Sequence, residues 1–525
     1  MSHLEDLRHR LELLIEFSTD HRQVRQVVVD LAVSGLLSPQ LDGESAADWI
    51  VAASEPGHVE RMPHGWHAVQ LGSLGRIFNG SSLSASQKLE LEGNDSGIPF
   101  LATKDLGYAS DEIDYDNGWR VTESNDSFRR AQPGTLLICL EGGSAGKKMG
   151  IVNQEVCFGN KLFAIDLDPA IDPRYLQIVY QSTPFQEQFS NATSGIISGI
   201  SKVRFSAIVC PIPPLEEQSR IVAEVDRLLL GLDQLLARRR EADDFVKDLR
   251  STSIQSLVGD SYTEEFNSEF RGLVERFGVL ARTVEGVNEL RMCMLDLIVR
   301  GAFSPGFQEI QSSGDLKWTL PSGWRWIPLS DLIDSTRGVT YGIIKLGKEP
   351  AIPGVPVLRC SDVKYRGFDL SGLRTVDPSV SEQYSRTILE GGEVVVNVRG
   401  TLGGCAIVPD HFAGFNVARE VAVMMPSIVS AEYLLAVLSS NYFANHVLSS
   451  LRGISYRGMN LGILKKTLIP LPPKAEEERL VALTNETMRL FDALEETVRS
   501  EAQVLDELTT ALRSELKSDL FDSRT

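Results

Sequence analysis

Residues Pro211-Ile-Pro-Pro-Leu-Glu-Glu-Gln-Ser-Arg-Ile-Val222 read as a stop followed at once by a start. Pro213 and Pro214 can neither continue a strand nor sit inside a helix. Proline is tolerated in a helix's first turn, however, and Glu216 and Glu217 suit the positive dipole end there. A long helix therefore begins here. Ile221, Val225, Leu228, Leu232 and Leu235 recur at spacings of four, three, four and three, and Ala242, Val246 and Leu249 resume the stripe after Arg239. This is a heptad seam. The punctuation returns 259 residues later as Pro470-Leu-Pro-Pro-Lys-Ala-Glu-Glu-Glu-Arg-Leu-Val481, followed by Phe491, Leu494, Val498, Leu505, Leu508 and Leu512 at the same spacing. The chain is a duplication.

Outward from these two points the rest of the repeat falls into place. Residues 4–37 read as helical, broken near Ser18-Thr19-Asp20 and ending in Asp30-Leu-Ala-Val-Ser-Gly-Leu-Leu-Ser-Pro39. Asp296-Leu-Ile-Val-Arg-Gly-Ala-Phe-Ser-Pro305 repeats that ending behind a helical run from about Phe270. Polar linkers lead from both into an opening motif, Pro63-His-Gly-Trp66 and Pro321-Ser-Gly-Trp324. Short β-rich runs bounded by Gly and Pro then match in pairs: Ile98–Leu106 with Val355–Val363, and Pro133–Leu140 with Gly391–Val398. A helix starts near Asp172 in one copy and near Ser430 in the other. The fold class is mixed α/β, with five segments expected: 1–61, 62–214, 215–317 (long helix 215–250, second helical segment 270–303), 318–473 and 474–525. The two globular segments share a frame and differ in their loops, as one scaffold presenting two surfaces would.

The length of 525 residues implies several domains, with 42% hydrophobic and 23% charged residues. No apolar run is long enough for a membrane span and the start carries no signal-peptide pattern, so a cytoplasmic, non-membrane protein is expected. The six cysteines stand too far apart for a zinc site or a disulfide framework. The net charge of −19 argues at first against a polyanionic partner. The acid is unevenly placed, though: residues 62–214 carry a net −4, residues 318–473 a net +3, and the helical remainder −18. The globular segments are thus free to turn a basic face toward phosphates.

Catalytic signatures are missing where they would be diagnostic. The Pro-Pro pairs follow Ile212 and Leu471 rather than the Asn or Asp of an adenine-methyltransferase loop. Gly142-Gly-Ser-Ala-Gly-Lys-Lys148 is one residue short of a Walker loop and ends in the wrong type. Asp362-Val-Lys364 lacks a partner carboxylate for a nuclease site and reads as a strand-edge turn. What remains are loops bearing Gly, Lys and Arg at matching places. Lys147 and Lys148 correspond to Arg399; Ser81 and Ser82 follow Asn79-Gly80 as Arg337 and Tyr341 flank Gly338. Lys202 and Arg204 correspond to the run holding Arg452, Tyr456, Arg457 and Asn460, while Lys104, Arg359 and Lys364 complete the candidate DNA-contact set. Glycine lets backbone amides approach a phosphate, and Arg457 and Asn460 are types that read guanine and adenine edges. The rival readings are β-turns with solvated charges and, for Asn460, helix capping.

This double pattern of helix, Gly-Trp opening, globular unit, Pro-Pro exit and heptad helix resembles the specificity subunit of type I restriction-modification systems. The resemblance covers nearly the whole chain; the second exit departs from it by lacking the glutamine of the first. It implies two target-recognition domains, separated by two long antiparallel helices that act as a ruler, each reading one half of an asymmetric bipartite site in double-stranded DNA. It also implies a chain that catalyses nothing itself, docking two methyltransferase subunits and the restriction-translocase subunits. S-adenosylmethionine, ATP and Mg would belong to those partners, with no cofactor in this chain. A recognition subunit with a fused modification and cleavage partner, or a stand-alone DNA-binding scaffold, are the alternatives.

Overall fold

The computed structural model describes residues 3–18, 20–55, 62–91, 96–108, 113–193, 200–258, 266–305, 318, 320–350, 353–400, 403–450 and 459–522. The chain forms two compact units, one of residues 1–240 with 502–525 and the other of residues 241–501. Both boundaries fall inside long helices, Leu215–Val258 and Lys474–Asp522, each of which begins directly after its Pro-Pro pair.

In the first unit, helices His3–Phe17 and His21–Val33 are separated at the expected break, where the Asp20 carboxylate accepts from Gln23 N as an N-cap. Ile221, Val225, Leu228 and Leu232 are buried in one cluster with Leu7, Leu11, Leu14 and Leu516. Each such side chain contributes about 1.5–3 kcal/mol of burial. An antiparallel sheet orders Gly75–Asn79, Leu162–Leu167, Leu136–Cys139 and Met149–Ile151. A second sheet orders Arg120–Val121, Ile98–Leu101, Val156–Phe158 and Arg130–Ala131, with Phe100 beside Cys157 in a parallel pair. The domain is closed by His67–Gln70 pairing antiparallel with Val209–Ile212.

The second unit repeats this frame. Thr340–Tyr341, Val421–Met424, Val394–Asn397 and Cys405–Ile407 form the antiparallel sheet. Val355–Leu358 lies between Arg374–Val376 and Asn416–Val417, and Arg325–Pro328 closes on Leu468–Leu471. The helical segment expected over 270–303 is two helices, Phe266–Leu280 and Val284–Arg300, because the Thr283 hydroxyl caps the second by accepting from Gly286 N. Leu505, expected in a core, is 43% exposed, and Leu508 is 47% exposed; that helix packs on either side of them, through Met488, Phe491, Leu494 and Val498 in the second unit and through Leu512 and Leu516 in the first.

The missing glutamine at the second exit has a chemical replacement. Gln218 accepts from Asp172 N at 2.7 Å and donates to the carbonyls of Ala170 and Pro213. Its counterpart Glu477, 2% exposed, accepts from Ser430 N at the same distance but has no donor to offer. Lys474, where the first copy has Leu215, supplies one at 3.1 Å. The preceding glutamate is used alike in both copies: Glu217 accepts from Ser38 and Trp66 Nε1, and Glu476 from Ser304.

Candidate nucleic-acid interface

Strands Gly75–Asn79 and Leu136–Cys139 both pair antiparallel with Leu162–Leu167, so they run in the same direction and their following loops emerge at one end of the sheet. The loop after Phe158 joins them there, since Ser81 N donates to the Phe158 carbonyl and Asn160 N to the Ser81 carbonyl. Lys148 ties in the loop after Ile98–Leu101 through the carbonyls of Thr103 and Lys104, at 3.3 and 3.4 Å. A cavity of about 210 Å³ opens among these loops, lined by Ser81, Lys88, Phe100, Thr103, Trp119 and Lys161. The Lys104 ammonium lies 5.3 Å from the Trp119 ring centroid. The result is a recess with exposed lysines at Lys88, Lys104 and Lys161 and an aromatic wall, suited to a phosphate-bearing ligand.

Of the residues anticipated in this unit, Ser81, Lys104 and Lys148 come together at this end. The Ser81 hydroxyl accepts from Arg129 N, Ser82 and Lys147 are exposed, and Lys148 also lies over Tyr108. Lys202 and Arg204 stand exposed on a short helix, Lys202–Ser206, with Arg204 donating to the Ala192 carbonyl. That helix begins beside the Glu141–Lys148 loop, because Ile200 N bonds the Leu140 carbonyl. Lys88, Trp119 and Lys161 were missed.

The second unit has the same end with different chemistry. Ile343 bridges to Ala418 and Arg419 N donates to the Ile343 carbonyl, repeating the Ser81, Gly159 and Asn160 contacts. Lys161 is replaced there by Glu420, and Asn160 by Arg419. Arg359 bonds the buried Asp362 and the Gly372 carbonyl, and this hydrogen-bonded carboxylate raises the guanidinium pKa further. Asp362 thus serves as a strut. Lys364 sits 3.8 Å from Asp369, Tyr341 is 40% exposed, and Arg399 is half-buried, its N–H donating to the Glu420 carbonyl. Asn460 caps helix Leu461–Lys466 through Gly462 N and stays exposed. Arg452, Tyr456 and Arg457 lie outside the described residues.

Arg337 requires a correction. Its donors go to Glu393, which is fully buried, and to the Arg386 and Ile388 carbonyls. Glu393 precedes strand Val394–Asn397 whereas Arg399 follows it, so Arg337 stands at the opposite end from the loops described above. The glycine pairing shifts as well. Asn79 faces Phe163 and Tyr341 faces Ala422, which matches Gly80 to Gly342 and not to Gly338. At both positions a Cβ would run into a carbonyl, that of Phe158 or of Val417.

The buried thiols are poor nucleophiles. Burial pushes Cys157 up to about 11 and Cys293 up to about 12, and it raises Cys139 and Cys210 too.

Residues 63–242 match the family model described as the type I restriction modification DNA specificity domain. The specificity subunit of the type I restriction enzyme EcoBI from Escherichia coli is 22% identical over 85% of this chain and 84% of its own length. That of EcoAI, also from E. coli, is 20% identical over 94% of this chain and 93% of its own. Among solved structures, the HsdS subunit from Thermoanaerobacter tengcongensis is 17% identical, covering 86% of this chain and 97% of its own, with a TM-score of 0.49. The first half of the chain thus contains a matched type I specificity domain, and similarity to type I specificity subunits runs through both halves.

Proposed function

We propose that the chain is the DNA sequence-recognition subunit of a type I restriction-modification complex, each globular domain reading one half of a bipartite asymmetric site. The observation that carries this reading is one frame used twice with different loop chemistry: Lys161 and Asn160 at the sheet end of one copy, Glu420 and Arg419 at the same place in the other. Lysine and arginine both donate to guanine acceptors in the major groove, asparagine pairs with adenine and a carboxylate accepts from cytosine N4, so Lys161 with Asn160 and Arg419 with Glu420 present different donor and acceptor sets. The long helices set the spacer between half-sites. Their acidic surfaces suit protein docking better than phosphate contact, in keeping with the attachment of methyltransferase subunits that bind S-adenosylmethionine and methylate adenine at N6. ATP and Mg serve the translocase-nuclease partner, and this chain supplies recognition without catalysis.

The test is single-molecule mapping of modified adenines in cells expressing this chain with its neighbouring genes, against cells lacking only this chain. A bipartite motif with a fixed spacer should vanish on deletion, and exchange of residues 62–214 should alter one half of it. Methylation by an active partner that does not depend on this chain would refute the reading.

A further inference from the structure

Arg366 sits in the two-residue turn between the paired Lys364 and Gly367 with φ 55°, the sole non-glycine residue with positive φ among those described. That conformation strains any side chain bearing a Cβ and costs glycine nothing, so an arginine at this position needs a reason outside the turn. Its guanidinium supplies one. Nη1 is shielded from solvent yet has no hydrogen-bond partner among the described residues, and the residue lines a cavity of about 460 Å³ with Arg291, Tyr365, Asn485, Met488, Arg489 and Asp492. All of these lie within the second unit.

The duplication separates what is scaffold here from what is added. Arg291 pairs with Asp492 and Glu495 at 3.0 and 2.9 Å, and at the matching place in the first unit Arg25 pairs with Asp233. That pair is framework. The first unit, however, has Leu230, 59% exposed, where the second has Arg489, and Asp226, paired with Arg174, where the second has Asn485. The second unit has therefore exchanged an apolar and an acidic residue for a cation and a neutral amide. Three arginines face one aspartate in this cavity, in a chain of net charge −19. The Arg291 Nε is likewise shielded and unpartnered.

We propose that Arg366 and Arg489, with Arg291 behind them, form a binding site for a phosphoryl oxyanion. Planar guanidinium groups match tetrahedral oxyanions through paired N–H donors; among the described residues neither Arg366 nor Arg489 has a carboxylate partner, and Arg489, whose Nε donates to the Asn485 carbonyl, keeps its two Nη groups for a ligand. The oxyanion comes from a small phosphorylated ligand or from a DNA backbone phosphate; only the second source rests on the DNA-reading function.

The test uses the full chain and two variants chosen to fold. Arg366→Gly relieves the turn, and Arg489→Leu installs the residue that the first unit already carries. Inorganic pyrophosphate is titrated calorimetrically, and DNA affinity is measured against salt concentration. Pyrophosphate binding weakened at least about tenfold in both variants supports the site and identifies a free ligand. A salt slope reduced by about 0.9 in both variants supports it and identifies the backbone phosphate. Neither change, whether or not the wild-type chain binds DNA, overturns the proposal. A melting temperature lowered by Arg366→Gly does so too, because it would give the arginine a structural reason to be there.

Discussion

If Lys474 compensates for the glutamate that replaces glutamine at the second exit, removing it should harm the protein only while Glu477 remains. Glu477 is 2% exposed, and its Oε1 holds both Ser430 N at 2.7 Å and Lys474 Nζ at 3.1 Å. Lys474→Leu leaves that carboxylate without its counter-charge. Loss of one partner of a fully buried pair costs about 3–5 kcal/mol, but the Lys474 side chain is 63% exposed and solvent screens much of its contribution. A cost of about 1–2 kcal/mol remains, lowering the melting transition of the second unit by about 2–6 °C. Adding Glu477→Gln rebuilds the chemistry of the first exit, in which a leucine precedes a glutamine that accepts from the helix cap and donates to backbone carbonyls. The double variant should return to within about 0.5 kcal/mol of wild type. Calorimetric melting of the four proteins of this cycle measures the coupling directly, and hydrogen exchange at Ser430 N reports the bond itself. Additive losses would refute the compensation.

Arg337→Ala should destabilise the second unit by about 2–4 kcal/mol, since it abandons the buried Glu393; an unchanged urea midpoint would return Arg337 to the surface role first assigned to it. Burial raises the Asp296 carboxyl above its ordinary value of 3.8. Its favourable contribution is thus fully present below pH 3.8 and is lost as pH rises through the higher folded-state value. Asp296→Asn should flatten the stability profile above pH 4 relative to wild type, whereas parallel profiles would contradict the assignment. Cys360 is half-buried while the other five thiols are buried, so iodoacetamide followed by peptide mass spectrometry should find Cys360 labelled first. Leu438 lines a cavity of about 320 Å³ in the second unit, where the first unit has Tyr180 packed on Phe185 at 4.9 Å. Leu438→Phe should fill that space and raise the melting temperature by about 1–3 °C; a fall would mean overpacking.

The duplication was legible because its signals are obligatory chemistry. A helix starting after Pro-Pro needs acids in its first turn, and a cap needs Asp172 or Ser430, so both copies repeat the same letters. Strand positions were legible from Gly and Pro boundaries. Loop geometry was not: matching Gly80 to Gly338 rested on similar letters, whereas sheet register, which periodicity does not encode, selects Gly342. Arg337 read as a surface cation because the fully buried Glu393 that holds it stands 56 residues away. Lys161 was within reach of the sequence, since Phe158-Gly-Asn-Lys161 aligns with Val417-Ala-Arg-Glu420 at the repeat distance of 259. The exposure of Leu505 was not, because a heptad pattern states which face is apolar and not which stretches of it meet a partner.

The way the first unit is assembled has a consequence for the order of events during synthesis. Its residues 1–240 leave the ribosome early, yet Leu516 is fully buried in their core, Leu512 packs against it, and Asp519 pairs with Arg10 at 2.7 Å. At roughly 5–20 residues per second, the interval between residue 240 and residue 516 is about 15–55 s. Through that interval the first unit waits with part of its core uncovered, while the second unit, residues 241–501, completes from one continuous stretch. A stop codon after residue 501 would therefore spare the second unit and damage the first, some 260 residues upstream of the lesion.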